Sequence, residues 1–347
     1  MRYRGVHYDT GVRFIPSRLS REVFDPDVVR YEIQAIAQDL SCNAVRIVGD
    51  DLERIAFASR VALEAGLAVF FNPWLIGRGE AELLPYLAEG ARIAERLRGE
   101  GEVVFVTGCE LSLFAHGLIP GDGVYDRVGW LLALRTGETP SVPVTVVRDR
   151  TRSLLRKTVD VVRRGFGGPV TYAAGVWEEV DWEPFDIVGV DYYRAEQTDE
   201  EYAEGLRELG AHGKPVAVLE FGCCTYEGAD RRGGMGWMDL DEWSEDGPRW
   251  VAGPRPRSEA TQARYLVDQL EIFQATGVDS AFVFTLVAPY LPHDPDDPVK
   301  DFDLCSYALV KTLDPADPQA GRVPPWRPKE SFHALANCYR ALAGDGR

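Results

Sequence analysis

The 347-residue chain predicts an α/β fold: a (β/α)8 barrel of the TIM type, with long loops after strands 4, 7 and 8. Three observations carry this reading. Strand-like and helix-like runs alternate along the whole length, as they do when helices wrap a parallel sheet. Two runs, Val103 to Cys109 and Val216 to Leu219, are apolar almost throughout, which argues strands buried on both faces. The turn after the first strand, Tyr8-Asp9-Thr10-Gly11-Val12-Arg13, lacks the glycine-rich phosphate pattern of a doubly wound open sheet, the main competing architecture. No internal repeat, linker or composition break divides the sequence, so residues 1–347 read as a single barrel domain.

The elements follow in order. Tyr3 to Tyr8 reads as the first strand. Asp25 to Leu40 reads as a helix: Asp25 can cap it, Pro26 suits the first helical position, and Val28, Val29, Ile33, Ile36 and Leu40 form an apolar stripe. Cys42 to Val48 is the second strand. A helix capped by Asp50 or Asp51 runs through Glu64 and is closed by Gly66. Leu67 to Asn72 is the third strand, Glu80 to Arg98 a helix, and Glu102 to Cys109 the fourth strand. A long segment follows, with a loop at Ile119 to Gly123 and helical pieces at Tyr125–Leu134 and Thr151–Arg164. Val170 to Ala174 and Asp186 to Tyr192 are strands five and six, joined by a short link. Glu200 to Leu209 is a helix, Val216 to Glu220 strand seven, Glu259 to Thr276 a helix, Ser280 to Leu286 strand eight, and Ser331 to Leu342 the closing helix. The loops Cys223–Ser258 and Ala288–Trp326 follow strand C-termini, the face where barrels build their sites. The first carries Trp237, Trp243 and Trp250, indoles suited to stacking on sugar faces.

Composition narrows the function. Asp and Glu number 55 against 38 Lys and Arg, a formal charge of −17. Such a chain has no broad basic face for nucleic acid or an anionic membrane. The N-terminus enters a strand at once, and no run approaches the roughly 20 apolar residues of a spanning helix. The expectation is a soluble cytoplasmic protein with reduced cysteines. Cys42, Cys109, Cys223, Cys224, Cys305 and Cys338 show no C-x-x-C spacing, and no histidine cluster accompanies them, so neither a metal nor a cofactor is expected. The acidic run His293-Asp294-Pro295-Asp296-Asp297 has no calcium-loop spacing and reads as a surface loop, with His293 or Asp294 as possible pocket residues.

The chemistry concentrates at two strand ends. Val103-Val104-Phe105-Val106-Thr107-Gly108-Cys109 runs into Glu110, and Pro215-Val216-Ala217-Val218-Leu219 runs into Glu220. A glutamate ending a buried strand packs poorly but sits where barrel enzymes place their catalytic groups. Paired carboxyls suit reaction at a sugar carbon, one protonated to help a leaving oxygen depart and one ionised to attack.

With these residues the chain resembles the large clan of retaining (β/α)8 glycoside hydrolases, in which the acid/base glutamate ends strand four and the nucleophile ends strand seven. Asn43-Ala44-Val45-Arg46-Ile47 is similar to the strand-two segment whose arginine supports the nucleophile. Asp191-Tyr192-Tyr193 is similar to the strand-six end, where a tyrosine contacts it, and Ser306-Tyr307-Ala308-Leu309 to the segment after strand eight. The resemblance implies Glu110 as acid/base and Glu220 as nucleophile, kept ionised by Arg46 and oriented by Tyr192 or Tyr193. It also implies Asn72 and Trp74 lining the sugar pocket and Trp177 as a wall; His7, ending strand one, can reach the same pocket. The substrate it implies is a β-linked carbohydrate or small glycoconjugate. Retention requires the two carboxyls about 5 to 5.5 Å apart.

The sequence departs from the clan in three places. Cys109 replaces the usual asparagine before the acid/base, Asn72 stands where strand three usually has histidine, and strand eight runs into Thr285-Leu286-Val287 where a tryptophan is usual. A thiol is a weak hydrogen-bond partner. These departures leave open an atypical substrate, an altered reaction, or a barrel that binds a sugar-like ligand without cleaving it. To a lesser degree the chain also resembles bacterial proteins labelled abortive phage infection proteins, a label that names no chemistry.

Overall fold

The computed structural model describes residues 1–14, 17–241, 247–253, 255–313 and 325–344. Eight parallel strands close into a barrel: β1 (Tyr3–Asp9), β2 (Ala44–Gly49), β3 (Ala68–Pro73), β4 (Val103–Cys109), β5 (Val170–Gly175), β6 (Val188–Asp191), β7 (Val216–Phe221) and β8 (Ser280–Val283). Each strand pairs with its sequence neighbour, and β1 pairs with β8 to complete the ring. This is the (β/α)8 fold the alternation implies. The strands β2, β3, β4, β5 and β7 are buried at every position, which explains why Val103 to Cys109 and Val216 to Leu219 read as apolar almost throughout.

The helices cover the outside. Asp25 caps α1 (Pro26–Gln34), its Oδ1 accepting from the amides of Asp27 and Val28. The helix does not run unbroken to Leu40: it widens into a π turn over Ala35–Asp39, which keeps Ile36 and Leu40 buried. Asp51 caps α2 (Leu52–Glu64), and α3 spans Glu80–Arg98. Beyond β4, α4 is the single turn Leu111–Phe114 and α5 covers Val124–Arg135. Helix α6 spans Val144–Arg163 and begins two turns before the expected Thr151; its buried stripe starts only at Val147, so the first turn carries no burial signal. The remaining helices are α7 (Asp199–Gly210), α8 (Glu259–Thr276) and α9 (Glu330–Gly344).

Two expected strand ends differ. The strand β6 begins at Val188, not Asp186, because the Asp186 carboxylate caps the Val170 amide at 2.7 Å. The strand β8 ends at Val283, not Leu286; the chain turns at Phe284–Thr285, a cis peptide.

The described parts of the long loops are built segments. The loop after β7 carries short 3-10 turns and a two-stranded pair, Leu240–Asp241 with Trp250–Val251. The loop after β8 pairs Val310–Thr312 with Trp326–Pro328. Of the loop tryptophans singled out by sequence, Trp243 lies outside the described residues. The ends of the chain are tied to its beginning. Glu32 on α1 accepts from Tyr8 and, at 3.0 Å, from the Trp326 indole, and it pairs with Arg21. Tyr339 on α9 donates to the Gly5 carbonyl at 2.9 Å.

Candidate active site

The C-terminal ends of the strands bring most of the expected residues to one place. Arg46 on β2 is fully buried. Its Nη1 donates to Glu220 Oε1 at 2.9 Å and to the Leu219 carbonyl at 3.0 Å, and lies 3.5 Å from Asp191 Oδ1. Its Nε donates to Asn72 Oδ1 at 2.9 Å. Burial opposes the guanidinium charge, but Glu220 and Asp191 more than offset it and hold the Arg46 pKa above its ordinary value. Tyr193 donates its hydroxyl to the other oxygen of Glu220 at 3.0 Å. Glu220 thus accepts from a guanidinium and a phenol, one on each oxygen.

Glu110 sits differently. A bulge in β4 between Val106 and Cys109 redirects the strand end. Gly108 there has φ +150°, and a Cβ on it would lie 2.9 Å from Leu111. Glu110 itself adopts the left-handed conformation, φ 43° and ψ 49°, which costs a non-glycine residue about 1–2 kcal/mol. Burial pushes its carboxyl well above the ordinary glutamate range. The charges of Asp191, Glu220 and Glu178 add to the rise, and Arg46 partly offsets it.

Three residues not chosen from sequence belong here. Asp191, ending β6, is in register with Glu220; burial and the Glu220 charge push its pKa well up. Its signal was a carboxylate ending a strand, the same signal that marks Glu110 and Glu220. Phe284 directly follows β8; it packs on His7 at 4.8 Å and meets Tyr307 at 5.8 Å. Reading β8 three residues too long hid it. Glu178, beyond β5, faces the turn after Glu110.

Other expected residues take different places. Tyr192 lies outside the barrel, its ring 4.5 Å from Tyr202 on α7. Adjacent residues of an extended chain point to opposite sides, so only Tyr193 reaches Glu220. Asn72 is fully buried and committed to Arg46, bracing the guanidinium instead of lining an open pocket. The Cys109 thiol is buried 3.2 Å from Asp191 Oδ2 and 3.7 Å from Glu220 Oε1; burial, then the two carboxylates, push its pKa well up. Trp177 donates Nε1 to Ser112 Oγ at 3.0 Å. His293 is taken up by Asp301 at 2.9 Å, and Asp294 accepts from the amides of Asp296 and Asp297.

Among the described residues, two side-chain groups have the reach to share a cation, Cys109/Asp191/Glu220 and His293/Asp301/Asp303. Each already has a protein cation: Arg46 in the first, and Arg257 with Lys329 in the second. All six cysteines carry free thiols.

Aromatic rings span the opening above these groups. Phe14, after β1, meets Trp74 after β3 (5.1 Å), Phe114 after β4 (6.2 Å) and Tyr290 after β8 (6.5 Å). Tyr125, after β4, meets Trp237, after β7, at 6.1 Å. Neither β1 and β4 nor β4 and β7 are neighbours in the ring, so both contacts cross the mouth. Beneath Phe14, a cavity of about 10 Å3 is lined by His7, Asp9, Phe284, Thr285 and Tyr290 among others, room for about one water. Both ring nitrogens of His7 and the Trp74 indole N–H are buried without a hydrogen-bond partner among the described residues. Burial, with the nearby Arg46 charge, lowers the His7 pKa well below its ordinary value, so the imidazole is neutral.

No family model matches the chain, and no curated protein matches it. Solved structures do. The chain is similar to a GH113 β-1,4-mannanase, at 14% identity over 98% of this chain and 100% of that one, with TM-score 0.61. It is similar to the GH113 β-mannanase of Alicyclobacillus acidocaldarius solved with ManMIm, at 16% identity over 99% and 98%, TM-score 0.60. A β-glucosidase is similar at 14% identity over 98% of both chains, TM-score 0.58. The shared feature is the fold, the (β/α)8 barrel. Among the described residues, no helix is long and apolar enough to cross a membrane.

Proposed function

We propose that the protein is a retaining glycoside hydrolase-like enzyme acting on a β-linked glycoside or small glycoconjugate. The observation that carries this reading is the contrast between two carboxyl groups ending β4 and β7. Glu220 accepts from Arg46 and Tyr193, contacts suited to an attacking anion. Glu110 is driven toward its protonated form by burial and by neighbouring acids, as a proton donor must be.

In this mechanism Glu220 attacks the anomeric carbon as the bond to the leaving oxygen breaks, and Glu110 gives that oxygen its proton. A glycosyl ester on Glu220 results. Glu110, now ionised, takes a proton from a water that attacks the same carbon, which releases the sugar with its configuration retained and restores both groups. Arg46 and Tyr193 balance the charge on Glu220 before attack and after release. Phe284 and Trp177 offer ring faces to the sugar, and His7 and the Trp74 N–H offer hydrogen bonds to its hydroxyls.

The similar structures make β-mannosides and β-glucosides the first substrates to try. Glu220→Ala is expected to cut turnover of a nitrophenyl glycoside by about 10⁴-fold or more; unchanged turnover ends the assignment. A second reading, a sugar-binding barrel without turnover, is favoured by Cys109 in place of asparagine and by the small cavity beneath Phe14. Sugar binding by calorimetry with no turnover across a nitrophenyl glycoside panel selects it.

A further inference from the structure

The turn that carries Glu110 is held from one side by residues of and beyond β5. The Glu110 amide donates to the Ala173 carbonyl at 2.8 Å. The next amide, Leu111, donates to the Tyr172 hydroxyl at 2.6 Å. The one after, Ser112, donates to Glu178 Oε1 at 2.9 Å. The Tyr172 hydroxyl donates to Glu178 Oε2 at 2.8 Å, and the Gly175 amide donates to that same oxygen at 3.0 Å. The Ser112 hydroxyl in turn accepts from Trp177. Three consecutive amides, starting at the left-handed Glu110, are therefore captured by one strand end and the turn beyond it, with a carboxylate at the hub.

Resting on the reading of Glu110 as the acid, we propose that Glu178, acting with Tyr172, is the positioning residue for that acid: it fixes the turn that aims the Glu110 carboxyl and keeps a negative charge beside it. Glu178 touches no reacting atom; it works through the backbone of Leu111 and Ser112 and through its field. The charge acts in the expected direction, since Glu178 is among the groups that raise the Glu110 pKa; burial raises the pKa of Glu178 itself, and the hydrogen bonds from Ser112, Tyr172 and Gly175 oppose that rise. With a neighbouring anion present, the acid holds its proton to higher pH. A glutamine at this position keeps the shape but supplies one acceptor oxygen where three donors converge, and it removes the charge.

The test compares two glycosides of one sugar. A phenyl glycoside needs its leaving oxygen protonated; a 2,4-dinitrophenyl glycoside loses a stable anion and does not. Glu178→Gln is expected to slow the phenyl substrate about 10–100-fold while the dinitrophenyl substrate stays within about 3-fold. The high-pH limb of the phenyl profile is expected to move to lower pH. An equal fall on both substrates with an unmoved limb overturns the proposal, as does no change on either. Tyr172→Phe, which keeps the packing and deletes one bridging hydroxyl, gives the same split if Glu178→Gln does not fold. Glu110→Gln separates the two levels. If it shows the leaving-group split and Glu178→Gln does not, the positioning role alone fails; if it shows none, the acid assignment fails and the positioning role with it. A carbon-13 titration of the Glu110 carboxyl reads the effect without substrate: its midpoint falls in Glu178→Gln, and an unmoved midpoint counts against the proposal.

Discussion

Arg46→Met tests whether the guanidinium neutralises the centre of the barrel or merely fills it. The substitution keeps the length of the side chain and removes its charge and donors. In the native protein Arg46 is fully buried and serves Glu220, Asp191, Asn72 and the Leu219 carbonyl. Breaking a buried pair by deleting one partner leaves an uncompensated charge and costs about 3–5 kcal/mol. With a urea m-value of about 3 kcal/mol/M, the midpoint drops by about 1–1.7 M. The pH dependence has a definite sign. Arg46 lowers the Asp191 pKa, so its loss raises an already elevated value further. A carboxyl whose folded pKa exceeds its unfolded one costs stability as pH rises, and the cost vanishes below the unfolded value near 4. The deficit of the variant is therefore largest at pH 7 and shrinks toward pH 4. Urea titrations of both proteins at the two pH values measure it. A deficit below about 1 kcal/mol, or one equal at both pH values, refutes the reasoning.

Further outcomes follow from the same geometry. Tyr193→Phe removes the hydroxyl donor to Glu220 and is expected to lower kcat about 10–100-fold, the worth of a hydrogen bond to a charged group, with a melting temperature near the native one; an unchanged kcat counts against Glu220 as the nucleophile. The kcat/KM profile is expected to fall at high pH as Glu110 loses its proton, with a midpoint well above the 4.5 of an ordinary glutamate; a fall centred near that value contradicts the buried-acid assignment. Burial pushes the Cys305 thiol up to about 12 and also raises the others, while only Cys338 is not fully buried. Iodoacetamide on the native protein is expected to mark Cys338 first and the other five only after unfolding, as read by peptide mass spectrometry; rapid labelling of Cys109 contradicts the packing around Glu220.

Much of this architecture is legible in the sequence because burial on both faces leaves a strong local signature. The runs Val103 to Cys109 and Val216 to Leu219 are apolar almost throughout, and the acid that follows each stands out. The choice between Tyr192 and Tyr193 is not legible, since it depends on which way the last strand residue points, and that is set by pairing with β7. Asn72 carries no mark of its commitment to Arg46, which comes from the adjacent strand. The first turn of α6 is hidden because Val144 and Val146 face solvent. The rings over the mouth are hidden for another reason. Phe14, Phe114 and Tyr290 lie far apart along the chain and meet only because the ring of strands brings their loops together.

The barrel also dictates an order of assembly during synthesis. The Gly5 carbonyl waits for the hydroxyl of Tyr339, a separation of 334 residues. At 5–20 residues per second, the ribosome takes between about 15 and 70 s to supply it. For most of that time β1 lacks the strand that closes the ring on its far side, and the nascent sheet carries two open edges. Arg46 can meet Glu220 only late in this interval, so a stalled or shortened chain holds the elements of the barrel without its closure.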